Sequence, residues 1–251
     1  MKALLPAIVV FVTLFASGCA TTINQDAVSH DPWESFNRKV YSFNESVDTV
    51  VLKPVATGYV RVVPEPARQG LTNVFGNIRD VWSAANKLLQ GKVSDGLQMG
   101  ARFAVNSTVG LAGLFDPATG MGLQRRPEDF GQTLGHWGLG AGPYVVLPLL
   151  GPSTVRDGAA GLLVDRLASP SALISDSGMA TAVTVLDVVN TRARFLDATD
   201  LLDDLALDRY AFVREAYLAR RRDAIQDGVD PADDAGTDSI KAPAETATTR
   251  E

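Results

Sequence analysis

Three side chains in one stretch of the chain have the types that form a hydrolase triad: His136, Ser153 and Asp157. The serine nucleophile of lipases and esterases stands in a Gly-x-Ser-x-Gly turn, and the sequence contains no such turn. A single histidine between Gly135 and Trp137 is more typical of a packed, hydrogen-bonded residue than of a catalytic base. The sequence therefore favours a structural role for His136, and we expect no catalytic residues.

Composition and spacing argue against other kinds of site chemistry. The run Gly138-Leu139-Gly140-Ala141-Gly142 is similar to a nucleotide loop, but Pro143 and an apolar run follow it instead of a phosphate-binding helix start. The chain has 2 histidines and 1 cysteine, which excludes a His-rich metal site and an intramolecular disulfide, so we expect no metal and no cofactor. Because the net charge is −6, we expect no nucleic-acid partner.

Cys19 is the residue whose position predicts a covalent modification. Lys2 is followed by an apolar run over residues 3–15 and by small residues over 16–18, a pattern typical of a secretory signal. A cysteine directly after the small residues resembles the bacterial lipoprotein signal, in which that cysteine becomes the lipidated N-terminus. A plain signal with a chance cysteine is the alternative.

The predicted domain boundaries follow from this signal and from composition. We expect a signal peptide over residues 1–18, a lipidated tether over 19–30, a folded body over 31–223 and a disordered tail over 224–251. Ala20 after the cysteine, in place of aspartate, resembles the enterobacterial sorting pattern that implies the outer membrane. The tail is acidic and contains no aromatic residue, so it cannot bury a core.

The stretch over residues 127–157, which contains the three triad candidates, is both apolar and interrupted by glycine and proline. We expect Gly138, Gly140 and Gly142 to let the backbone bend tightly, since glycine adopts angles that other residues resist. Non-helical apolar backbone at membrane depth is tolerated where protein buries it or where it lines a cavity. The stretch is therefore either a re-entrant segment inside a ring of helices or a buried loop of a soluble core.

Helical spacing of apolar residues predicts an all-α body with no strand of useful length. The first helix is expected to be capped by Asp31 and to end at Lys53-Pro54, with Asn37 and the pair Phe43-Asn44 on a solvated polar side. Further helices are expected after Pro64, over 80–90, after Ser94, over 158–168, over 178–196 and over 203–223.

The helix over 178–196 carries a narrow polar stripe on an otherwise apolar surface. A soluble surface helix shows the opposite proportion. A helix set in lipid with its stripe facing a polar interior has this pattern, and so does a helix in a soluble core with its stripe exposed. On the first interpretation Thr184, Asp187 and Thr191 line a pore. The full stripe consists of Thr181, Thr184, Asp187, Thr191 and Arg194.

Several separate motifs, in order, resemble the MlaA (VacJ) family of outer-membrane lipoproteins. The resemblance extends from about Asp31 to Arg222 and includes the apolar stretch over 127–157. The other matching motifs are DPWESFNR (31–38), YSFN (41–44), RQGLTN (68–73), RFAVNS (102–107) and VREAYL (213–218).

The resemblance implies both a fold and a function. Members of that family are described as rings of amphipathic helices embedded in the inner leaflet of the outer membrane, with a polar-lined pore. They associate with trimeric porins, remove misplaced phospholipids from the outer leaflet and pass them to a periplasmic carrier, MlaC. In the family, disturbing the region matched by Phe43-Asn44 alters gating, so these two residues are candidate gating residues, together with Gly138, Gly140 and Gly142.

Three hypotheses from different classes follow. The leading hypothesis is a phospholipid-translocating lipoprotein anchored on the periplasmic side of the outer membrane. The alternatives are a structural lipoprotein of the cell envelope and a lipid hydrolase. Wide apolar helix faces favour the translocating lipoprotein over the structural one. The missing Gly-x-Ser-x-Gly turn argues against the hydrolase.

Overall fold

A computed structural model describes residues 31–199 and 207–226 of the 251-residue chain. Cys19, the predicted signal and tether, and the acidic tail lie outside the described residues, so their predictions stay untested. None of the helices in the described ranges combines the length and the apolar character needed to cross a membrane.

The described body is mostly helical, as the sequence predicts. Some of its helices are longer or shorter than the patterns indicate, and two short segments are 3₁₀ helices. The helices are α1 (Glu34–Val47), α2 (Lys53–Val62), α3 (Glu65–Leu89), α4 (Val93–Thr108), α5 (Pro117–Gly120), α6 (Phe130–His136), α7 (Val155–Leu163), α8 (Ser177–Arg194) and α9 (Arg209–Ile225), with the 3₁₀ helices at Asp165–Ala168 and Pro170–Leu173.

The first helix differs from the sequence prediction at both ends. Its N-cap is Trp33, which makes no side-chain capping bond, and not the predicted Asp31. At the other end the helix does not stop at Lys53-Pro54, because a π-helical turn, Asp48–Leu52, leads directly into α2. Pro54 stands in the first turn of α2, a position where its missing N–H is tolerated.

The predicted helix over 80–90 is not a separate element but the second half of the 25-residue helix α3. Its start after Pro64 is as predicted. The last predicted helix begins later than expected, at Arg209 instead of residue 203.

The apolar stretch contains two short strands, which the sequence did not predict. They are β1 (Tyr144–Leu147) and β2 (Gly151–Thr154), paired antiparallel with Tyr144 opposite Thr154 and Leu147 opposite Gly151. Alternating burial along β1 packs Tyr144 and Val146 inward. The re-entrant segment is therefore a β-hairpin held within a helical body.

Polar side chains occupy much of the interior. Within the described ranges, seven of the nine largest fully buried side chains are polar or charged, and the two apolar ones are Met99 and Val146. Buried polar groups are costly unless they are hydrogen-bonded, so the interior must be a network of partners. The seven are Arg102, Asn37, Asn86, Asn106, Thr133, Thr154 and Asp80.

Many large apolar side chains lie on the outside. The exposed fraction is 80% at Val62, 74% at Val50 and Leu167, and 73% at Leu163. Exposed apolar patches of unusual extent mark surfaces that contact lipid or another protein. The distribution of polarity is therefore inverted relative to an ordinary soluble domain.

Arg102 is the centre of a buried network of polar side chains. Its guanidinium pairs with Asp116 at 2.7 Å and Asp80 at 3.4 Å, and it donates to the Thr119 hydroxyl at 2.9 Å and to the Leu123 carbonyl. Burial raises the pKa of the Asp116 carboxyl, but the bonds from Arg102 and Thr119 outweigh this and lower the pKa to about 2. One side chain thus ties α3, α4 and α5 together.

Replacing Arg102 by methionine is expected to destabilise the fold strongly. The substitution leaves the Asp116 carboxylate without its arginine and leaves Asp80 with Arg125 alone, a loss of about 3–5 kcal/mol. The matched control is Arg126→Met, because Arg126 is 51% exposed and stands 3.8 Å from Asp95, a pair worth less than about 1 kcal/mol. Thermal unfolding in detergent measures both, and equal stability of the two variants would contradict a network that depends on Arg102.

Candidate functional site

Two asparagines of α1 hold the outer edge of the hairpin. Asn37 donates from Nδ2 to the Tyr144 carbonyl at 3.1 Å, and its Oδ1 accepts from the Val146 N–H at 2.9 Å. A strand at a sheet edge otherwise leaves a row of backbone groups unpaired. The side-chain amide of Asn37 thus does what a third strand would do.

Asn44, two helical turns further along α1, repeats this arrangement at the turn of the hairpin. Its Nδ2 donates to the Leu147 carbonyl at 3.0 Å, and its Oδ1 accepts from the Leu149 N–H at 2.8 Å. The prediction of a solvated polar side was therefore wrong for Asn37, which is fully buried, and for Asn44, which is half-buried. Phe43 is exposed on the outside of the helix.

The tip of the hairpin adopts an unusual backbone conformation. Leu149 has a φ of 63°, in the left-handed region that costs a non-glycine residue roughly 1 kcal/mol or more. Leu149 and Leu150 are both exposed. The bond from the Leu149 N–H to Asn44 helps to hold this conformation, so the tip depends on α1.

The three glycines before the hairpin are not equivalent. Gly138 and Gly142 have left-handed φ values of 89° and 70°, and a Cβ at Gly142 would stand 3.3 Å from the Cβ of Val155. Gly140 lies outside the left-handed region and has open space around it. The expected tight bend therefore has a left-handed backbone at Gly138 and Gly142 and not at Gly140.

An ion-pair cluster anchors the base of the hairpin to α9. Asp157 accepts from Arg221 at 2.8 Å, from Tyr217 at 2.9 Å and from Arg156 at 2.8 Å. Burial raises the pKa of the Asp157 carboxyl, but the hydrogen bonds from Arg221 and Arg156 outweigh it, so the pKa lies below its ordinary value. The carboxylate is therefore ionised and fully engaged by cations at neutral pH.

The hydrolase arrangement of His136, Ser153 and Asp157 does not form. His136 is exposed at the end of α6, and in the described part of the chain it makes no hydrogen bond to Ser153 or Asp157. The Ser153 hydroxyl donates to the Thr154 carbonyl at 3.2 Å. The three side chains thus lack the nucleophile–base contact that the mechanism requires.

Two cavities lie along α8. The larger, about 500 Å³, is bounded by the hairpin, α7, the 3₁₀ segments and Thr184. The smaller, about 290 Å³, is lined in part by Asp187 and Thr191. The three predicted pore-lining residues are therefore divided between two cavities, and Asp187 is also ion-paired with Arg79.

Much of the apolar surface of α8 is exposed, including Met179, Val185 and Val188. The alternative of a helix buried in a soluble core is therefore wrong. Its polar positions Thr181 and Thr184 bond back to carbonyls of their own helix, at 2.8 and 2.9 Å. These bonds let hydroxyls stand on a helix in an apolar environment.

A helical body with a polar interior, exposed apolar side chains and a hairpin beside a cavity is typical of a class of protein that contacts lipid. The family model described as MlaA lipoprotein matches residues 29–224. The chain belongs to the MlaA lipoprotein family.

Similar proteins come from three bacteria and from a solved structure. "Intermembrane phospholipid transport system lipoprotein MlaA" of Shigella flexneri is 40% identical, covering 91% of this chain and 90% of its own. The Escherichia coli (strain K12) protein of the same description is 39% identical and also covers 91% of this chain and 90% of its own. The Haemophilus influenzae protein is 32% identical and covers 84% of this chain and 86% of its own. A solved chain described under "Structural basis for maintenance of bacterial outer membrane lipid asymmetry" is 37% identical with a TM-score of 0.69, covering 78% of this chain and 99% of that one.

Asn44→Ala is expected to loosen the hairpin tip without unfolding the body. The substitution removes both bonds at the turn, so the Leu149 amide should exchange its hydrogen about tenfold faster. Ser46→Ala is the control, because Ser46 is exposed on α1 and bonds only within that helix. Hydrogen exchange at the turn is measured by mass spectrometry in both variants. An unchanged exchange rate in Asn44→Ala would show that α1 does not restrain the hairpin turn.

Cysteine labelling in membranes tests which side of α8 meets water. Thr184→Cys faces the larger cavity and should react with a water-soluble thiol reagent, whereas Val185→Cys, exposed on the apolar side, should be protected. The unsubstituted protein gives the background of Cys19, the one native cysteine. Equal labelling of the two variants would contradict a water-accessible cavity bounded by lipid-facing helix.

Proposed function

We propose that this chain is the lipoprotein of an intermembrane phospholipid transport system that maintains the lipid asymmetry of the outer membrane. Proteins 39–40% identical to it carry the first description, and a solved relative carries the second. The observation that carries the proposal is the inverted polarity of the body. A protein that moves amphiphiles needs polar groups inside, where the headgroup passes through a cavity, and an apolar exterior for the acyl chains and surrounding lipid.

The proposed mechanism needs no covalent chemistry. A misplaced phospholipid enters with its headgroup in the cavity between the hairpin and α8, while its acyl chains stay against the exposed leucines. The hairpin restricts the passage, and α1 holds the hairpin through Asn37 and Asn44. In this proposal Asn44, with Phe43 beside it, and Gly138 and Gly142 before the hairpin govern how far the passage opens, while Thr184 contributes to its polar lining.

The proposed location is the periplasmic side of the outer membrane. Cys19 carries the lipid anchor, and the apolar surface of the body sits in the inner leaflet. Single acyl chains bind membranes only marginally, so an anchor of several chains together with an apolar surface gives lasting attachment.

Two protein partners belong to the proposal: a trimeric porin and a soluble periplasmic lipid carrier of the MlaC kind. Both rest on family membership. The carrier accepts the phospholipid after it has passed the hairpin, because a diacyl lipid cannot cross the aqueous periplasm unassisted. Transport, and not a structural role in the envelope, accounts for the built cavity and the restrained hairpin.

Deleting the chain and restoring it tests the proposal. We expect the deletion strain to accumulate phospholipid in the outer leaflet, the wild-type chain to reverse this, and Cys19→Ser to fail because the anchor is lost. Outer-leaflet phospholipid is measured by its accessibility to an externally added phospholipid-modifying enzyme, with protein abundance checked by immunoblot. Normal lipid asymmetry in the deletion strain would overturn the transport function, and full rescue by Cys19→Ser would overturn only the role of the anchor.

A further inference from the structure

Arg166 is a positive side chain at the rim of the larger cavity that has no acidic partner among the described residues. Its neighbour Asp165 is engaged elsewhere, because its Oδ1 accepts from Trp82 Nε1 at 2.7 Å and from the Phe130 N–H at 2.8 Å. An unpaired guanidinium offers up to five N–H donors in a planar fork. The cavity therefore contains a cation whose donors are available to a ligand.

The one carboxylate among the described residues that line this cavity does not compete for that cation. Asp157 is held by Arg156 at 2.8 Å and by Arg221 at 2.8 Å, so two guanidiniums already neutralise it. Its pKa is low despite burial, because the hydrogen bonds from Arg221 and Arg156 outweigh the effect of burial, and it accepts no proton at neutral pH. Arg221 also pairs with Asp129, so Asp129, Asp157, Arg156 and Arg221 balance one another's charge, and Arg166 is the lining cation outside this cluster.

The other polar groups of the cavity are hydroxyls, and two of them already use their hydrogen. Thr184 donates to the Ala180 carbonyl at 2.9 Å, and Ser153 donates to the Thr154 carbonyl at 3.2 Å. Ser169 and Ser171 share one hydrogen bond of 3.1 Å, which leaves one hydroxyl hydrogen between them. Among the described lining residues, Arg166 is therefore the charged hydrogen-bond donor for an anionic ligand, and one hydroxyl of the Ser169–Ser171 pair can donate beside it.

The remaining wall of the cavity is apolar and opens towards the outside. Leu147, Leu150, Pro152 and Leu162 line it, and Leu163 and Leu167 next to it are exposed. A volume of about 500 Å³ lies within the ~300–1,000 Å³ of small-ligand sites, enough for a headgroup, while long acyl chains must extend along the leucines.

We propose that Arg166 binds the phosphodiester of a glycerophospholipid in this cavity and makes the passage selective for phosphate-bearing lipids over uncharged ones. The inference rests on the proposed function and assigns one residue as its determinant of specificity. A guanidinium matches two non-bridging phosphate oxygens with two parallel hydrogen bonds, a geometry that lysine cannot reproduce. The uncharged hydroxyl of a diacylglycerol offers no such acceptor pair.

The test uses the full-length lipoprotein purified in detergent. Phosphatidylglycerol and diacylglycerol with identical acyl chains compete for the protein, and native mass spectrometry counts the bound molecules. Arg166→Gln removes the charge, Arg166→Lys keeps it without the fork, and Arg61→Gln is the control because Arg61 is exposed on α2 away from the cavity. Thermal unfolding of each variant confirms that the body is intact, as expected for an exposed side chain without a protein partner.

We expect the wild type and Arg61→Gln to prefer phosphatidylglycerol, and Arg166→Gln to lose about tenfold of that preference while binding diacylglycerol as before. Arg166→Lys should fall between them. An unchanged preference in Arg166→Gln overturns the inference and leaves the transport function standing.

A second competition experiment tests whether the site binds the headgroup of a lipid or a free phosphate compound. Soluble glycerophosphoglycerol and inorganic phosphate are added as competitors, and neither should displace bound phosphatidylglycerol at equal concentration. Displacement by the soluble compounds would overturn the assignment to a lipid. A wild-type protein that binds neither lipid would overturn the proposed function as well, an outcome distinct from failure of Arg166 alone.

Discussion

This structure depends on one constraint: polar groups buried away from water must form hydrogen bonds or ion pairs with one another. The fully buried guanidinium of Arg102 is the clearest example. Arg102 joins α3, α4 and α5 through Asp80 and Asp116. A second buried pair, Lys87 with Glu128 at 2.6 Å, joins α3 to the segment before α6. Ion pairs and amide hydrogen bonds therefore hold the helices together here, a role that apolar contacts have in an ordinary core.

This internal polarity is what allows the apolar residues to face outwards. In water such a surface would be unfavourable, because apolar area exposed to water costs about 25 cal/mol per Å². In lipid the same surface costs little, and the satisfied interior holds the helices together. The hairpin follows the same rule, since Asn37 and Asn44 supply the bonds that its edge would otherwise take from solvent.

The sequence predicts some of these features and not others, for physical reasons. Helices with strong periodicity were recognisable, and so was the unusual proportion of polar to apolar residues on α8. The hairpin was not, because strands of four residues in a glycine-rich stretch show little alternation. The contacts of Asn44 with Leu147 and Leu149 join residues more than 100 positions apart, and nothing in local spacing reveals them. A buried arginine such as Arg102 also looks, in sequence, like a residue on a solvated face.

The most direct test of this account is to label the membrane-bound protein from the lipid phase and, separately, from water. One photoactivated carbene precursor is dissolved in the bilayer and another in water, and modified residues are mapped by mass spectrometry. The account predicts that Leu163, Leu167 and Leu173 are modified from the lipid phase, whereas the exposed Arg126 and the cavity-lining Ser171 are modified from water. Modification of the three leucines from water as strongly as Arg126 would contradict an apolar surface that faces lipid.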